Sequence, residues 1–283
     1  MVTEDALITG VAAGVPFVAR PPAGGRRPGA RVVVAWHLGD PPRTESAFAA
    51  ALPLHGLDAW RIYLGLPLSG SRLPEGGQEE IMRLGFEDAV LNLQGPVTSA
   101  AFEEFAPAFA QLRSRFALGE RPIGVLGGSI GSAVAQLVIA AGAVPVSAAV
   151  LVSPVVQLRP VVDGLARRFG ISYVWSPASQ VVARRLDFVA RADEIADNGA
   201  PAMLLVVGAD DDATGFLAPA RQLREALVSR YAEPTRVSLA VVPGMAHALA
   251  EEPGTAPAPQ TPHAVEVDRK AVAWFESYLM EPA

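Results

Sequence analysis

The side chains with most chemistry to offer are one serine, a run of aspartates and one histidine, each near a glycine and each following a short apolar run. A serine hydroxyl is a weak nucleophile and attacks a carbonyl only when a neighbouring base takes its proton. Ser129 lies in Gly127-Gly128-Ser129-Ile130-Gly131, which fits the pattern G-x-S-x-G. The pattern alone is weak evidence in a chain with 26 glycines among 283 residues. Its setting strengthens it. PIGVLG (Pro122 to Gly127) reads as a buried strand and SAVAQLVIAAG as a helix, so Ser129 falls on a strand-to-helix turn. A serine held in such a turn needs neighbours without bulky side chains and faces the positive end of the following helix. The competing reading is a glycine-rich turn that binds a phosphate or nothing at all.

A base and an acid must accompany the serine. The histidines are His37, His55, His247 and His263. On this kind of scaffold the chain order is serine, then acid, then histidine, which leaves His247 and His263. His247 lies in PGMAHAL, in the loop leaving the strand RVSLAVVPG, whereas His263 follows Thr-Pro at the entry of a terminal helix. Strand position favours His247. The acid belongs at the end of the strand before it, PAMLLVVGA, where Asp210, Asp211 and Asp212 stand in a row. A carboxylate there would orient the imidazole and stabilise its charged form. Three adjacent acids also suit a solvated or calcium-like turn, and spacing does not choose among them.

These residues need a scaffold, and the order of elements supplies one. ITGVAAGVPFVAR predicts one or two short strands. RVVVAW (Arg31 to Trp36), DAWRIYLGLP (Asp58 to Pro67), PIGVLG, SAAVLVSP (Ser147 to Pro154), PAMLLVVGA (Pro201 to Ala209) and RVSLAVVPG (Arg236 to Gly244) predict the rest. Helical patterns fall at about 46–54, 99–116, 132–142, 218–230 and 264–279. Alternation of this kind predicts an α/β fold, a mostly parallel central sheet with helices on both faces. The chain is expected to form a single domain, with a lid or cap insertion within about 155–200, because one crossover helix does not need so many residues. Phe169, Tyr173 and Trp175 in that segment read first as its private core and second as a pocket lining. The Pro-rich stretch from Glu251 to His263 predicts an irregular surface loop.

Composition excludes several classes. Hydrophobic residues make up 51% and charged residues 18%, enough for a large buried core. The net charge of −6, with no dense basic run, argues against nucleic acid. Cysteine is absent, so disulfides, thiolate metal sites and a cysteine nucleophile are excluded. The opening MVTEDALITG does not read as a signal peptide, and no apolar run is long enough to span a membrane, so the expectation is a cytoplasmic protein.

LGGSIGSAVA, LLVVGADDDATGF and VPGMAHAL, in this order, resemble the elbow, acid loop and histidine loop of the α/β-hydrolase superfamily. They are especially similar to esterases related to dienelactone hydrolases and prolyl oligopeptidases. The resemblance runs from RVVVAW to the terminal helix. In such families the acid usually stands three residues after the strand-ending glycine, which implies Asp211, with Asp210 as the fallback. The resemblance also implies an oxyanion hole of two backbone amides. Ile130 N–H would supply one. The other would come from His37-Leu38-Gly39-Asp40, where many relatives have His-Gly, and is assigned to Leu38 with Gly39 as the alternate. His37 then braces the loop. The expected activity is hydrolysis of a small carboxylic ester through an acyl-enzyme by Ser129, Asp211 and His247, with no metal or organic cofactor. The alternatives are thioesterase, acyltransferase or peptidase chemistry on the same triad, and a catalytically silent binding protein on the scaffold.

Overall fold

The computed structural model describes residues 7–280 and is built on one eight-stranded sheet. Its strands are β1 (Ile8–Ala12), β2 (Val15–Arg20), β3 (Arg31–Trp36), β4 (Ala59–Leu64), β5 (Ile123–Gly128), β6 (Val146–Val152), β7 (Ala202–Gly208) and β8 (Val237–Val242), in the order β1-β2-β4-β3-β5-β6-β7-β8. β1 and β2 form a hairpin whose turn, Ala13-Gly14, has positive φ at both positions, the geometry that matches strand twist. β2 pairs antiparallel with β4, and every pair from β4 to β8 is parallel. The sheet is therefore mostly parallel, as the alternation predicts.

β5 and β7 are buried along their whole length, which is why they read as unbroken apolar runs rather than alternating ones. Helices cover both faces. α1 (Glu45–Ala51) and the terminal helix α9 (Pro262–Tyr278) cover one, burying Phe48, Val267 and Phe275 against Val33, Leu126 and Val150. On the other face α3 (Gly95–Phe116), α4 (Ile130–Ala140) and α8 (Ala218–Val228) bury Phe105, Val134 and Leu223. From β3 the chain steps outward to β4, then returns to place β5 on the other side of β3. Open parallel sheets bind ligands in the crevice this reversal leaves at the carboxyl ends of the strands.

Two regions add helices to those predicted from the sequence. The stretch between the Asp58 to Pro67 strand and residue 99, where the sequence predicts no helix or strand, holds α2 (Gly77–Asp88) and a wide helical turn, Ala89–Gln94, that leads into α3. No residue of α2 is fully buried, so its sequence lacks the apolar stripe that would have marked it. Residues 155–200 hold three helices, α5 (Leu158–Arg168), α6 (Pro177–Arg185) and α7 (Ala192–Asp197). The Pro-rich segment after residue 250 forms no regular element before α9, as its composition predicts. It is nevertheless held in place. Arg43 donates to the Glu252 carboxylate (2.5 and 3.0 Å) and the Pro253 carbonyl (2.8 Å), and its backbone N–H donates to Gly254 O (2.7 Å).

The entry of α4 lies hard against the end of β3. A Cβ on Gly131 would fall deep inside the van der Waals radii of the Trp36 and His37 carbonyl oxygens, both of them backbone atoms that cannot swing aside. Gly131→Ala should therefore cost about 1–3 kcal/mol or more through overpacking, read as a lower urea midpoint. An unchanged midpoint would show that helix and strand do not meet this closely.

Candidate active site

Ser129 occupies the one-residue turn between β5 and α4, with φ 44° and ψ −118°. This is a strained conformation for a residue with a side chain and costs on the order of 1–3 kcal/mol. Surrounding bonds impose it. The Ser129 N–H donates to Val152 O on the neighbouring strand (2.9 Å), and its carbonyl accepts from the Ser132 N–H (2.9 Å) and the Ser132 hydroxyl (2.5 Å). That hydroxyl also accepts from the Val155 N–H (3.0 Å), so Ser132 ties the turn to the segment after β6. Gly127 has no room for a Cβ, which would sit 2.5 Å from Ser132 Cα. Glycines flank the serine because the backbone leaves no space for anything else.

The His247 Nε2 lies 2.9 Å from Ser129 Oγ, and its Nδ1 lies 2.9 Å from Asp211 Oδ2. Asp211 is the buried one of the three acids, its side chain 4% exposed. Its other oxygen accepts the Asp212 N–H (2.7 Å). Asp212 caps the turn Ala213–Leu217, accepting from the N–H groups of Thr214 (2.9 Å) and Gly215 (3.1 Å). Asp210 is exposed and contributes its backbone N–H to Met245 O (3.0 Å). His263 stands on the first turn of α9 beside Gly244, away from Ser129. Among the described residues, no three His, Asp or Glu side chains converge in a way that could hold a metal ion.

Several contacts around the histidine have no signal in the sequence. The Phe216 ring packs on the His247 ring with centroids 4.3 Å apart. Ser153, itself buried and held at φ 43°, donates its hydroxyl to the His247 carbonyl (3.3 Å). Asp40 brings a second carboxylate to within 3.6 Å of Nε2. Burial lowers the pKa of His247, but the hydrogen bond and charge of Asp211, with the charge of Asp40, outweigh it and the cation on Arg168, so the net shift is upward from 6.5.

The loop after β3 is braced from two sides. The fully buried His37 donates from Nδ1 to Leu38 O (2.7 Å) and accepts the Leu66 N–H at Nε2 (3.1 Å). Its pKa falls to about 4 through burial, so it stays neutral and titrates too low to serve as a base near neutrality. Arg43 Nε donates to Gly39 O (3.1 Å). Leu38 is wholly buried and lies over Gly128, whereas Gly39 and Ile130 border a cavity of about 220 Å3 that opens on Ser129. Leu66, Leu68, Leu73, Ile81, Leu93 and Val97 give that cavity an apolar wall. Tyr173 and Trp175 are not part of it. They pack edge-on at 4.8 Å, and their polar atoms bond Asp88 (2.6 Å) and Asp163 (2.8 Å). Phe169 is exposed and leans on Phe86.

By NMR titration the His247 imidazole should lose its proton above pH 6.5, and Asp211→Asn should move that event downward, since the opposing effect of burial then dominates. Asp212→Ala should lower stability by about 1 kcal/mol through loss of its cap. A His247 titrating below 6.5 in the wild type would show that burial outweighs Asp211 and Asp40.

No protein-family model matches the sequence, and a search of curated proteins finds no relative. Solved structures do resemble it. The Thermus thermophilus protein TT1662 superposes with a TM-score of 0.64 at 20% identity, over 98% of this chain and 100% of that one. Dienelactone hydrolase from Anabaena variabilis gives 0.53 at 17% identity, over 96% and 97%. Pyrococcus horikoshii acylaminoacyl peptidase gives 0.59 at 13% identity, and 96% of this chain spans only 41% of that enzyme. Sheet order, helix placement and these superpositions agree that the chain has the fold of the α/β-hydrolase superfamily.

Proposed function

We propose that the chain is a serine hydrolase that cleaves a small carboxylic ester through an acyl-enzyme intermediate. The observation that carries this reading is the unbroken hydrogen-bonded path from Asp211 through His247 to Ser129, at 2.9 Å for each step. Ser129 Oγ attacks the carbonyl carbon while His247 Nε2 takes its proton. Asp211 holds the imidazole by Nδ1–H and stabilises the imidazolium. The imidazolium then returns the proton to the departing alkoxide, and water repeats the sequence on the acyl-enzyme.

The Ile130 N–H is well suited to hold the oxyanion, because the first amides of a helix have no intrahelical partner and α4 begins at Ile130. For the second donor the choice lies between Leu38 and Gly39. A trans peptide points its N–H away from its C=O. The Leu38 carbonyl is taken by His37, so the Gly39 N–H is directed to the opposite side, and Gly39 borders the cavity at Ser129. This favours Gly39. The cavity is smaller than the roughly 300–1,000 Å3 of sites for drug-sized ligands, which suits a short acyl or alcohol group. The same reading takes residues 155–200 as a cap beside this mouth, since Arg168 near the end of α5 acts electrostatically on His247. Among the described residues no helix is long and apolar enough to cross a membrane.

The named structural neighbours, a lactone hydrolase and a peptidase, are compatible with acyl transfer without choosing the bond. A fluorophosphonate should label the wild type and not Ser129→Ala, which should lose roughly 10⁶-fold in kcat on nitrophenyl butyrate. Asp211→Asn should lose about 10⁴-fold while Asp210→Asn loses little. The kcat/KM of the wild type should rise with pH through a value above 6.5, because only neutral His247 can take the proton. A Ser129→Ala variant with wild-type esterase activity would sink this reading.

A further inference from the structure

Resting on the hydrolase reading, we propose that Asp40 selects substrates whose leaving group carries a positive charge close to the scissile bond, as in esters of amino alcohols. The place of its carboxylate is the first ground. Asp40 Oδ2 lies 3.6 Å from His247 Nε2, the nitrogen that hands the proton to the leaving group, so it borders the space that group occupies. Its side chain is 56% exposed and open to a ligand.

The charge balance of the cavity is the second ground. Among the described residues, the charged side chains that line it are Asp40 and Arg43. The Arg43 guanidinium is committed to the Glu252 carboxylate, the Pro253 carbonyl and the Gly39 carbonyl. The remaining lining is apolar or neutral; Arg168 also acts on His247 but lies outside that lining, so the charge nearest Nε2 on the cavity side is that of the Asp40 carboxylate. A cation two carbons beyond the scissile oxygen would come within ion-pair reach of Asp40. An anionic leaving group would be repelled there.

A matched pair of substrates isolates the effect, choline butyrate against its neutral isostere 3,3-dimethylbutyl butyrate. Both present the same acyl group and nearly the same leaving-group shape. The ratio of their kcat/KM values cancels any change in the base itself. On the alkaline plateau, the wild-type ratio should exceed the Asp40→Asn ratio by about fourfold or more, the effect of a unit charge roughly 5 Å away in a water-like dielectric. Asp40→Glu should keep most of the preference, and Asp210→Asn, which alters an exposed acid outside the cavity, should leave the ratio unchanged. In the wild type the ratio should also fall toward the Asp40→Asn value as salt is raised to about 1 M, where the screening length shrinks to ~3 Å. Equal ratios in wild type and Asp40→Asn, or a wild-type ratio indifferent to salt, would overturn the assignment. Ser129-dependent hydrolysis of both esters with equal ratios would leave the hydrolase reading standing, whereas loss of fluorophosphonate labelling would remove both.

Discussion

The site depends first on a backbone constraint, the conformation of Ser129 at φ 44° and ψ −118°. An L-residue resists that geometry, and it persists because the surroundings over-determine it. β6 takes the Ser129 N–H, Ser132 takes its carbonyl twice, and α4 rests on the carbonyls of β3 through Gly131. The strain has a direction. It lifts Oγ out of the sheet at its carboxyl edge and starts α4 immediately beneath it, so that one turn presents both the serine hydroxyl and the first amides of a helix. A relaxed turn would bury the hydroxyl or move the helix away, and either would disconnect Ser129 from His247.

The acid and the histidine are placed by a second close approach. Gly208 ends β7 directly beneath the Met245 carbonyl, too near for any Cβ. Just beyond it, Ala209 N–H donates to Val242 O (2.9 Å) and Asp210 N–H to Met245 O (3.0 Å). The two loops are thereby zipped together before any side chain acts. Asp211 then turns inward to His247 while Asp210 and Asp212 face away. Phe216 packs on the imidazole and Ser153 holds its carbonyl, which fixes the ring between its two partners.

This division of labour explains what could be read from the residues alone. The elbow was legible because close packing forces glycine at fixed positions, and a buried strand and helix flank them. Both faces of β5 and β7 are covered, so their continuous apolar runs were legible as well. The choice among Asp210, Asp211 and Asp212 was not readable from spacing, since one extra residue in a loop rotates every side chain and only the pairing with the next loop decides which one turns in. Asp40 and Arg43 were missed for a related reason. They act across gaps of more than 200 residues, and a lone charge on a loop looks like any solvated group. Helix α2 escaped because it lies on the surface with no buried stripe to reveal its period.

The position of Asp40 brings two electrostatic demands into opposition. A negative charge beside a developing oxyanion raises the barrier, and one beside the imidazolium lowers it. Distance decides between them. Asp40 lies 3.6 Å from Nε2, where the cation forms, and its side chain is more than half exposed to solvent, which weakens its effect on an oxyanion held by Ile130 and Gly39. Arg43 and His37 hold the loop that carries Asp40 by the carbonyls of Gly39 and Leu38, so the backbone from which the carboxylate extends is fixed. Half exposed, Asp40 is screened enough that its benefit to the imidazolium is modest. Its effect on a cation entering the cavity is larger, because such a cation would come within ion-pair reach, although water and salt still screen the pair. In the proposed reaction a carboxylate in this position therefore does more to distinguish leaving groups than to drive the chemical step.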